Sequence, residues 1–357
     1  TTVTTSRASA EQRAGRAGRL RPGVCYRLWS KVEHGTRSAH RSPEILDVDL
    51  AGLALELAVW GTPVEQLAFI SRPPSKAIAG ARQLLEQLGA LSDGKPTAAG
   101  RRMLNLPVHP RLAAMLVAAP EALSCAVAAL LDERDILRGR PDELPGDVAV
   151  RLRVLTGEER HESADRRSVE RVRDRAADLA RRLGVRFDAS SLDVERAGAI
   201  LLHAYPDRLA VRRRPGQFQL RGGSGAWLPD TDPLAHEQFV VAAYLDGKRD
   251  RARIRLAAGL DAETVARELA DQVDETVRLE WDADRDDLVE RAERRLGSMR
   301  LGETVRGASP GPATTEALVA RVRTTGLAAL GWTRRSIALR ERVEFLHRTV
   351  GDPWPDW

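Results

Sequence analysis

Residues 9–19 read Ser9-Ala10-Glu11-Gln12-Arg13-Ala14-Gly15-Arg16-Ala17-Gly18-Arg19, with arginine at every third position from 13 and two glycines between. On a helix that spacing sets the three guanidinium groups on neighbouring positions of one face. Planar guanidinium groups grip phosphate oxygens in pairs, which an ammonium does not do. Glycine in turn lets the backbone come close to a ligand. Where a phosphoryl group is transferred, charge spreads over the γ-phosphate oxygens, and an arginine there is worth on the order of 10³–10⁵ in rate. The pattern therefore favours a nucleoside triphosphate over a simple anion. The bland alternative is an arginine- and alanine-rich surface helix, for which composition alone suffices.

The surrounding composition narrows the class. A chain of 357 residues suggests two to four domains, and 43% hydrophobic with 30% charged residues describes a globular chain, not a disordered one. The net charge of +5 is uneven: positions 1–41 hold nine basic and two acidic residues, +7, which leaves −2 for the other 316. A general polyanion-coating surface does not fit; a local phosphate site does. No run of eighteen apolar residues and no signal-like start occurs, so the chain reads as soluble and cytoplasmic. Cys25 and Cys125 lack CxxC partners and read as small buried residues. Seven histidines show no HExxH or HxH pairing, so no metal site is expected. The run Asp282-Ala283-Asp284-Arg285-Asp286-Asp287 lacks the glycine and closing glutamate of a calcium loop and reads as a solvated turn. No serine or cysteine stands in a plausible triad.

The string QRAGRAGR at 12–19 resembles, letter for letter, motif VI of the DEAH-box superfamily 2 helicases, and the following Pro22-Gly23-Val24-Cys25-Tyr26-Arg27-Leu28-Trp29 extends the likeness. The resemblance implies that Gln12 faces the γ-phosphate or its attacking water. It makes Arg16 and Arg19 the arginine fingers, with Gly15 beside them at the ATP γ-phosphate, and gives Arg13 a structural ion pair. It also implies ATP with Mg2+ as cofactor, held mainly by residues outside these 357. A helicase motor needs a GxxxxGK[ST] loop and a DExH segment, and neither occurs here; Asp132-Glu133-Arg134 lacks the histidine. Taken alone, the chain is expected neither to bind ATP tightly nor to hydrolyse it. Thr1 is not an initiator Met and PWPDW at 353–357 shows no terminal helix, so both ends read as cuts within a longer chain.

Beyond the motif, Val24–Trp29 reads as a strand. In the family it closes the second RecA-like domain. Leu50, Leu53, Leu57 and Trp60 mark one helix, Ile78, Ala81, Leu85 and Leu88 a second, and Thr97 caps a third through Met103. Leu88–Leu91 and Thr97–Leu112 resemble a companion stretch of motif VI in DEAH proteins. The pattern stays helical to His203, with one stripe at Val169, Val172, Ala176, Leu179 and Leu183 and another at Val194, Ala197 and Leu201; 137–145 reads as a loop. Short strands follow at 208–214, 217–220, 238–245, 252–256 and 276–281, with a helix at 262–273, which fits an OB-like barrel. Gly222-Gly223-Ser224-Gly225 reads as a turn, not a phosphate loop, and 288–296 fits strand or helix. Tyr205–Arg213, and GLAALGWT at 326–333, resemble HrpB-type members of the family more than their HrpA relatives. Two closing helices are expected, the second using Leu339, Val343, Leu346 and Val350.

The fold expected is therefore multidomain α+β: the end of a RecA-like α/β domain (1–42), a winged helix (43–107), a helical ratchet bundle (108–203), an OB-like β-barrel (204–308) and the start of an HrpB-specific helical region (309–357). The resemblance implies single-stranded RNA or DNA between these units and N-terminal RecA-like domains of the same protein. Candidate phosphate contacts are Arg101, Arg102 and Arg111, with the cluster Arg208, Arg212, Arg213 and Arg214. Aromatic residues make up only 4%, so stacking on them is a minor theme. The leading expectation is the C-terminal part of an ATP-dependent, 3′-to-5′ RNA or RNA/DNA helicase. A stand-alone winged-helix/OB nucleic-acid-binding module explains the missing motor motifs but not the intact motif VI. An interaction scaffold is the third class.

Overall fold

A computed structural model describes residues 4–140, 142–247, 251–327 and 330–355. Thr1 to Val3, Ala328 and Ala329 of GLAALGWT, and Asp356 and Trp357 of the closing PWPDW lie outside them. The chain divides between Asp261 and Ala262 into two compact units.

The first unit opens with α1 (Arg7–Ala17) and α2 (Lys31–Thr36). Ser6 caps α1 by accepting from the Ser9 N–H at 3.3 Å, and the N–H groups of Arg7 and Ala8 donate to the carbonyls of Ser38 and Ala39. Those bonds satisfy donors that a helix start leaves without intrahelical partners. The chain then folds back over the end of α1, where a Cβ on Gly23 would collide with the Ala17 carbonyl. No strand forms at Val24–Trp29: Val24, Tyr26 and Leu28 are exposed and no described strand pairs with them. An extended segment becomes a strand only where a neighbour takes its N–H and C=O groups, so the expected strand is corrected to unpaired chain. Cys25 is exposed, against the expectation of burial, whereas Cys125 is buried.

The helices of the small segment form where the sequence places them, but the first buries a different face: Leu50 and Leu57 are buried with Ala51, Ala54 and Leu55, whereas Leu53 is half-buried and Trp60 is 70% exposed. Helix α3 (Ala51–Trp60) ends at Gly61, which takes φ +79°, and α4 (Ser75–Gln87) buries Ile78, Ala81 and Leu85. The hairpin β1 (Leu91–Ser92) and β2 (Lys95–Pro96) leads to α5 (Ala98–Leu104), capped by Thr97. Next come α6 (Pro110–Ala118), α7 (Ala122–Asp132), α8 (Val148–Thr156), α9 (Arg166–Leu183) and α10 (Ala197–Ala204). Of the stripe Val169, Val172, Ala176, Leu179 and Leu183 the first four are buried and Leu183, the last residue of α9, is half-buried; Val194, Ala197 and Leu201 are all buried.

The unit ends in a closed barrel of β3 (Leu209–Arg214), β4 (Gln217–Leu220), β5 (Gly225–Trp227), β6 (Phe239–Asp246) and β7 (Arg251–Leu260), ordered β3-β4-β5-β7-β6. Its interior holds Ala210, Phe218, Ala226, Val240 and Ile254. The barrel has the five strands expected, with one exchange: β5 takes the place given to 276–281.

That last stretch belongs to the second unit, where α11 (Ala262–Glu268) precedes an antiparallel sheet of β8 (Asp274–Asp282), β9 (Asp287–Leu296) and β10 (Met299–Gly307), ordered β10-β9-β8. The helix stops at Glu268 instead of continuing to 273, and 288–296 is strand. Two helices close the chain, α12 (Pro312–Thr325) and α13 (Arg334–Val350). On α13 the expected stripe is not a buried one, since Leu339 and Val350 are exposed. Among the described residues no helix is long and apolar enough to cross a membrane.

Candidate phosphate and nucleic-acid surfaces

Motif VI lies on α1 and the turn after it. Gln12, Arg13, Gly15, Arg16 and Arg19 are all exposed, and a Cβ on Gly15 would meet nothing within 4 Å. Gln12 and Arg16 stand one turn apart and share a face of the helix. Arg19 does not continue it: α1 stops at Ala17, Gly18 is its C-cap, and Arg19 leaves on the turn. The one-face arrangement expected of all three arginines is thus corrected to Arg13 and Arg16. Arg13 makes no ion pair among the described residues; it lines a cavity of about 430 Å³ with Ser6, Ser9, Ser38, Arg41 and Asp47. The local scaffold is held by Arg37, whose guanidinium lies 4.1 Å from the Trp29 ring centre and donates to the Thr5 carbonyl at 3.1 Å. This arrangement can present cationic donors to an external anion without first breaking an internal bond.

The candidate nucleic-acid residues fall into two groups. Arg101 and Arg102 are exposed on the last turn of α5, Arg213 and Arg214 are exposed at the end of β3, and Arg212 is half-buried there. Arg213 also donates to the Gln219 side chain at 2.8 Å. Arg111 is different and is corrected here. It is 8% exposed, and its guanidinium forks onto Asp207 at 2.6 and 2.9 Å and donates to the Ala204 carbonyl at 3.1 Å. All of that points inward, so no phosphate reaches it. Arg208 is turned the same way, donating to the Ala243 carbonyl of β6 at 2.8 Å. Both guanidiniums lie against the Tyr205 ring, 5.1 Å from its centre for Arg111 and 5.0 Å for Arg208. Burial pushes the Asp207 carboxyl upward, but the Arg111 fork and the charges around it outweigh burial and hold it below the ordinary range. Burial lowers the Arg208 guanidinium.

The joint extends to the small helices through His109. Its Nδ1 accepts from the Arg111 N–H at 3.2 Å, which leaves Nε2 to donate toward Asp49 at 3.5 Å. That contact is the main reason the Asp49 carboxyl titrates at about 2. Sequence reading missed this set because its members lie up to about 160 positions apart; the visible signal was polar residues beside proline at helix ends, His109-Pro110-Arg111 and Tyr205-Pro206-Asp207. No group of three or more His, Cys, Asp or Glu side chains among the described residues could hold a metal ion.

Comparison with known proteins gives the chain its relatives. No family model matches it. It is 34% identical over 345 residues to the ATP-dependent RNA helicase HrpB of Escherichia coli K12, covering 95% of this chain and 40% of that protein. It is 34% identical over 149 residues to HrpA of the same organism, 40% of this chain and 11% of HrpA. The crystal structure of the E. coli DExH-box NTPase HrpB superposes over 100% of this chain and 43% of its own, with a TM-score of 0.62 and 30% identity. The chain thus spans about two fifths of the HrpB length. In sequence and in fold it is a homologue of HrpB, corresponding to the C-terminal part of that protein.

Proposed function

We propose that the chain is the C-terminal part of an ATP-dependent helicase that moves 3′-to-5′ along single-stranded RNA, or RNA and DNA. The observation that carries the reading is α1 with its turn, which exposes Gln12, Arg16 and Arg19 together, free of internal ion pairs among the described residues. Bound ATP with Mg2+ supplies a γ-phosphoryl group on which negative charge spreads during transfer. Arg16 and Arg19 donate to those oxygens, Gln12 orients the attacking water, and the open space at Gly15 admits the phosphates. The partner surface is an N-terminal pair of RecA-like domains in the same protein. The helices over 43–107 act as a winged helix and those over 108–203 as a ratchet. The barrel acts as an OB-like module and ends by Leu260, so the 204–308 boundary shortens to the strands it contains. Arg101, Arg102, Arg212, Arg213 and Arg214 follow the phosphates of the strand.

The test is RNA-stimulated ATP hydrolysis by the product of the whole gene. Arg16→Ala and Arg19→Ala are each expected to lower turnover by about 10³ or more, while the present chain alone hydrolyses no ATP. Unchanged turnover in both variants sinks the finger assignment.

A further inference from the structure

Arg253 and Arg255 of strand β7 belong neither to motif VI nor to the basic end of β3. Arg253 and Arg255 alternate with the buried Ala252 and Ile254, so both project from the outside of the barrel. Trp227 of β5 pairs in register with Arg253, and its ring centre lies 5.2 Å from that guanidinium. Beside Arg255 opens a cavity of about 610 Å³ walled by Leu144, Tyr205, Tyr244 and Asp246.

Both guanidiniums converge on Asp142, a residue of the connection between α7 and α8. Arg253 Nη1 and Arg255 Nη1 donate to the same oxygen, Oδ1, with Arg255 at 2.6 Å. An arginine–carboxylate pair built for stability is commonly a fork in which each oxygen takes its own donor. Here one oxygen is shared by two cations, and Arg253 Nε is buried without a partner. Asp142 itself is 68% exposed, whereas the Arg253 and Arg255 side chains are 18% and 20% exposed. Asp246 Oδ2 holds Arg255 from its other side, accepting at 3.1 and 2.9 Å, so the cationic seat is fixed, and the anion that both arginines share is on the surface. Downstream the connection is pinned to the barrel, since Gly146 N–H donates to Asp232 at 2.8 Å and the Gly146 carbonyl accepts from Ala257 at 2.8 Å. Asp142 can therefore leave without unfastening Gly146.

We propose that Arg253, Arg255 and Trp227 form a binding site for one nucleotide unit of single-stranded nucleic acid, in which Asp142 occupies the phosphate position until the strand displaces it. A phosphodiester offers two non-bridging oxygens, one for each guanidinium, and the indole offers a face for the attached base. The proposal rests on the nucleic-acid reading above but uses none of its residues.

The experiment is fluorescence anisotropy of a labelled oligouridine with the full 357-residue chain across a range of KCl concentrations. Asp142→Asn is expected to bind about fivefold tighter at low salt, the order of one exposed charge contact, with the parent's salt slope, because the same phosphate is neutralised once the strand has displaced Asp142. Arg253→Ala added to Asp142→Asn removes the gain and makes the salt slope shallower by about 0.7, one phosphate fewer on a single strand, and Trp227→Leu in the same background weakens binding about tenfold. Circular dichroism confirms that each variant is folded. If Asp142→Asn matches the parent in affinity, or keeps its gain without Arg253, the site is wrong and Asp142 is a structural staple. In that case normal RNA binding by the parent chain leaves the helicase reading standing. A parent that fails to bind beside an Asp142→Asn variant that does sinks the channel assignment and retains this site.

Discussion

Replacing Arg111 by methionine tests whether the joint between α6 and the barrel is structural. The substitution removes a fork of 2.6 and 2.9 Å to Asp207 and a donor to the Ala204 carbonyl at 3.1 Å. It leaves the Asp207 carboxylate without its counter-ion. Breaking one side of a buried pair costs about 3–5 kcal/mol, mostly from the stranded charge. The Asp207 side chain is 33% exposed, so water recovers part of that and the lower end, about 3 kcal/mol, applies. For a unit of this size 1 kcal/mol shifts the midpoint by roughly 2–4 °C, so the first unit should melt roughly 6–12 °C earlier. Scanning calorimetry reads this directly. Asp207→Leu alone strands the Arg111 guanidinium, which is 9% exposed, and should cost more. The double variant removes both charges and should recover about 2 kcal/mol relative to the sum of the singles. Single losses below about 1 kcal/mol, or additivity within about 0.5 kcal/mol, would refute the joint. Arg111→Met should also leave the salt slope of RNA binding unchanged, because its guanidinium never meets a phosphate.

Three further outcomes follow from single sites. Asp49 titrates at about 2 in the folded chain against about 3.9 unfolded, so its contribution is complete above the unfolded value and is lost as pH falls toward 2; thermal midpoints from pH 7 to 3 should fall less steeply for Asp49→Asn, and equal slopes would discount the His109 contact. Gly198 of α10 faces β7 so closely that a Cβ would collide with the Gly259 carbonyl; Gly198→Ala should destabilise by about 1–3 kcal/mol in urea despite alanine's better helix propensity. Burial pushes the Cys125 thiol up to about 11, while Cys25 is exposed, so a thiol reagent should titrate one cysteine in the native chain and both in denaturant.

Local signals were the most legible part of the fold. Gly61 and Thr97 mark helix ends in the sequence and do so in the structure, because capping uses residues within a turn of one another. The buried stripe of α9 was equally plain, since a period of 3.6 needs no knowledge of the partner. What depended on distant chain was harder. Arg111 and Arg208 looked like phosphate ligands because arginine is usually exposed. Only the meeting of residues 111, 207 and 205 reveals that both guanidiniums are spent on Asp207, Ala204 and Ala243.

Strand membership failed for the same reason. Thr276–Trp281 alternates as well as any barrel strand, and nothing in six residues says which sheet will receive it; β9 takes it, one pair at a time from Asp274 opposite Arg295 to Asp282 opposite Asp287. The barrel is closed instead by Gly225–Trp227, three residues beside a glycine-rich turn. So short a strand has no periodicity to read, yet β5 pairs parallel with β7, and that pairing sets Trp227 opposite Arg253. The strand at 252–256 was legible in the sequence, where Arg253 and Arg255 alternate with Ala252, Ile254 and Leu256. Its chemistry was not, because the aromatic and the carboxylate that give those arginines meaning arrive from 26 and 111 residues away.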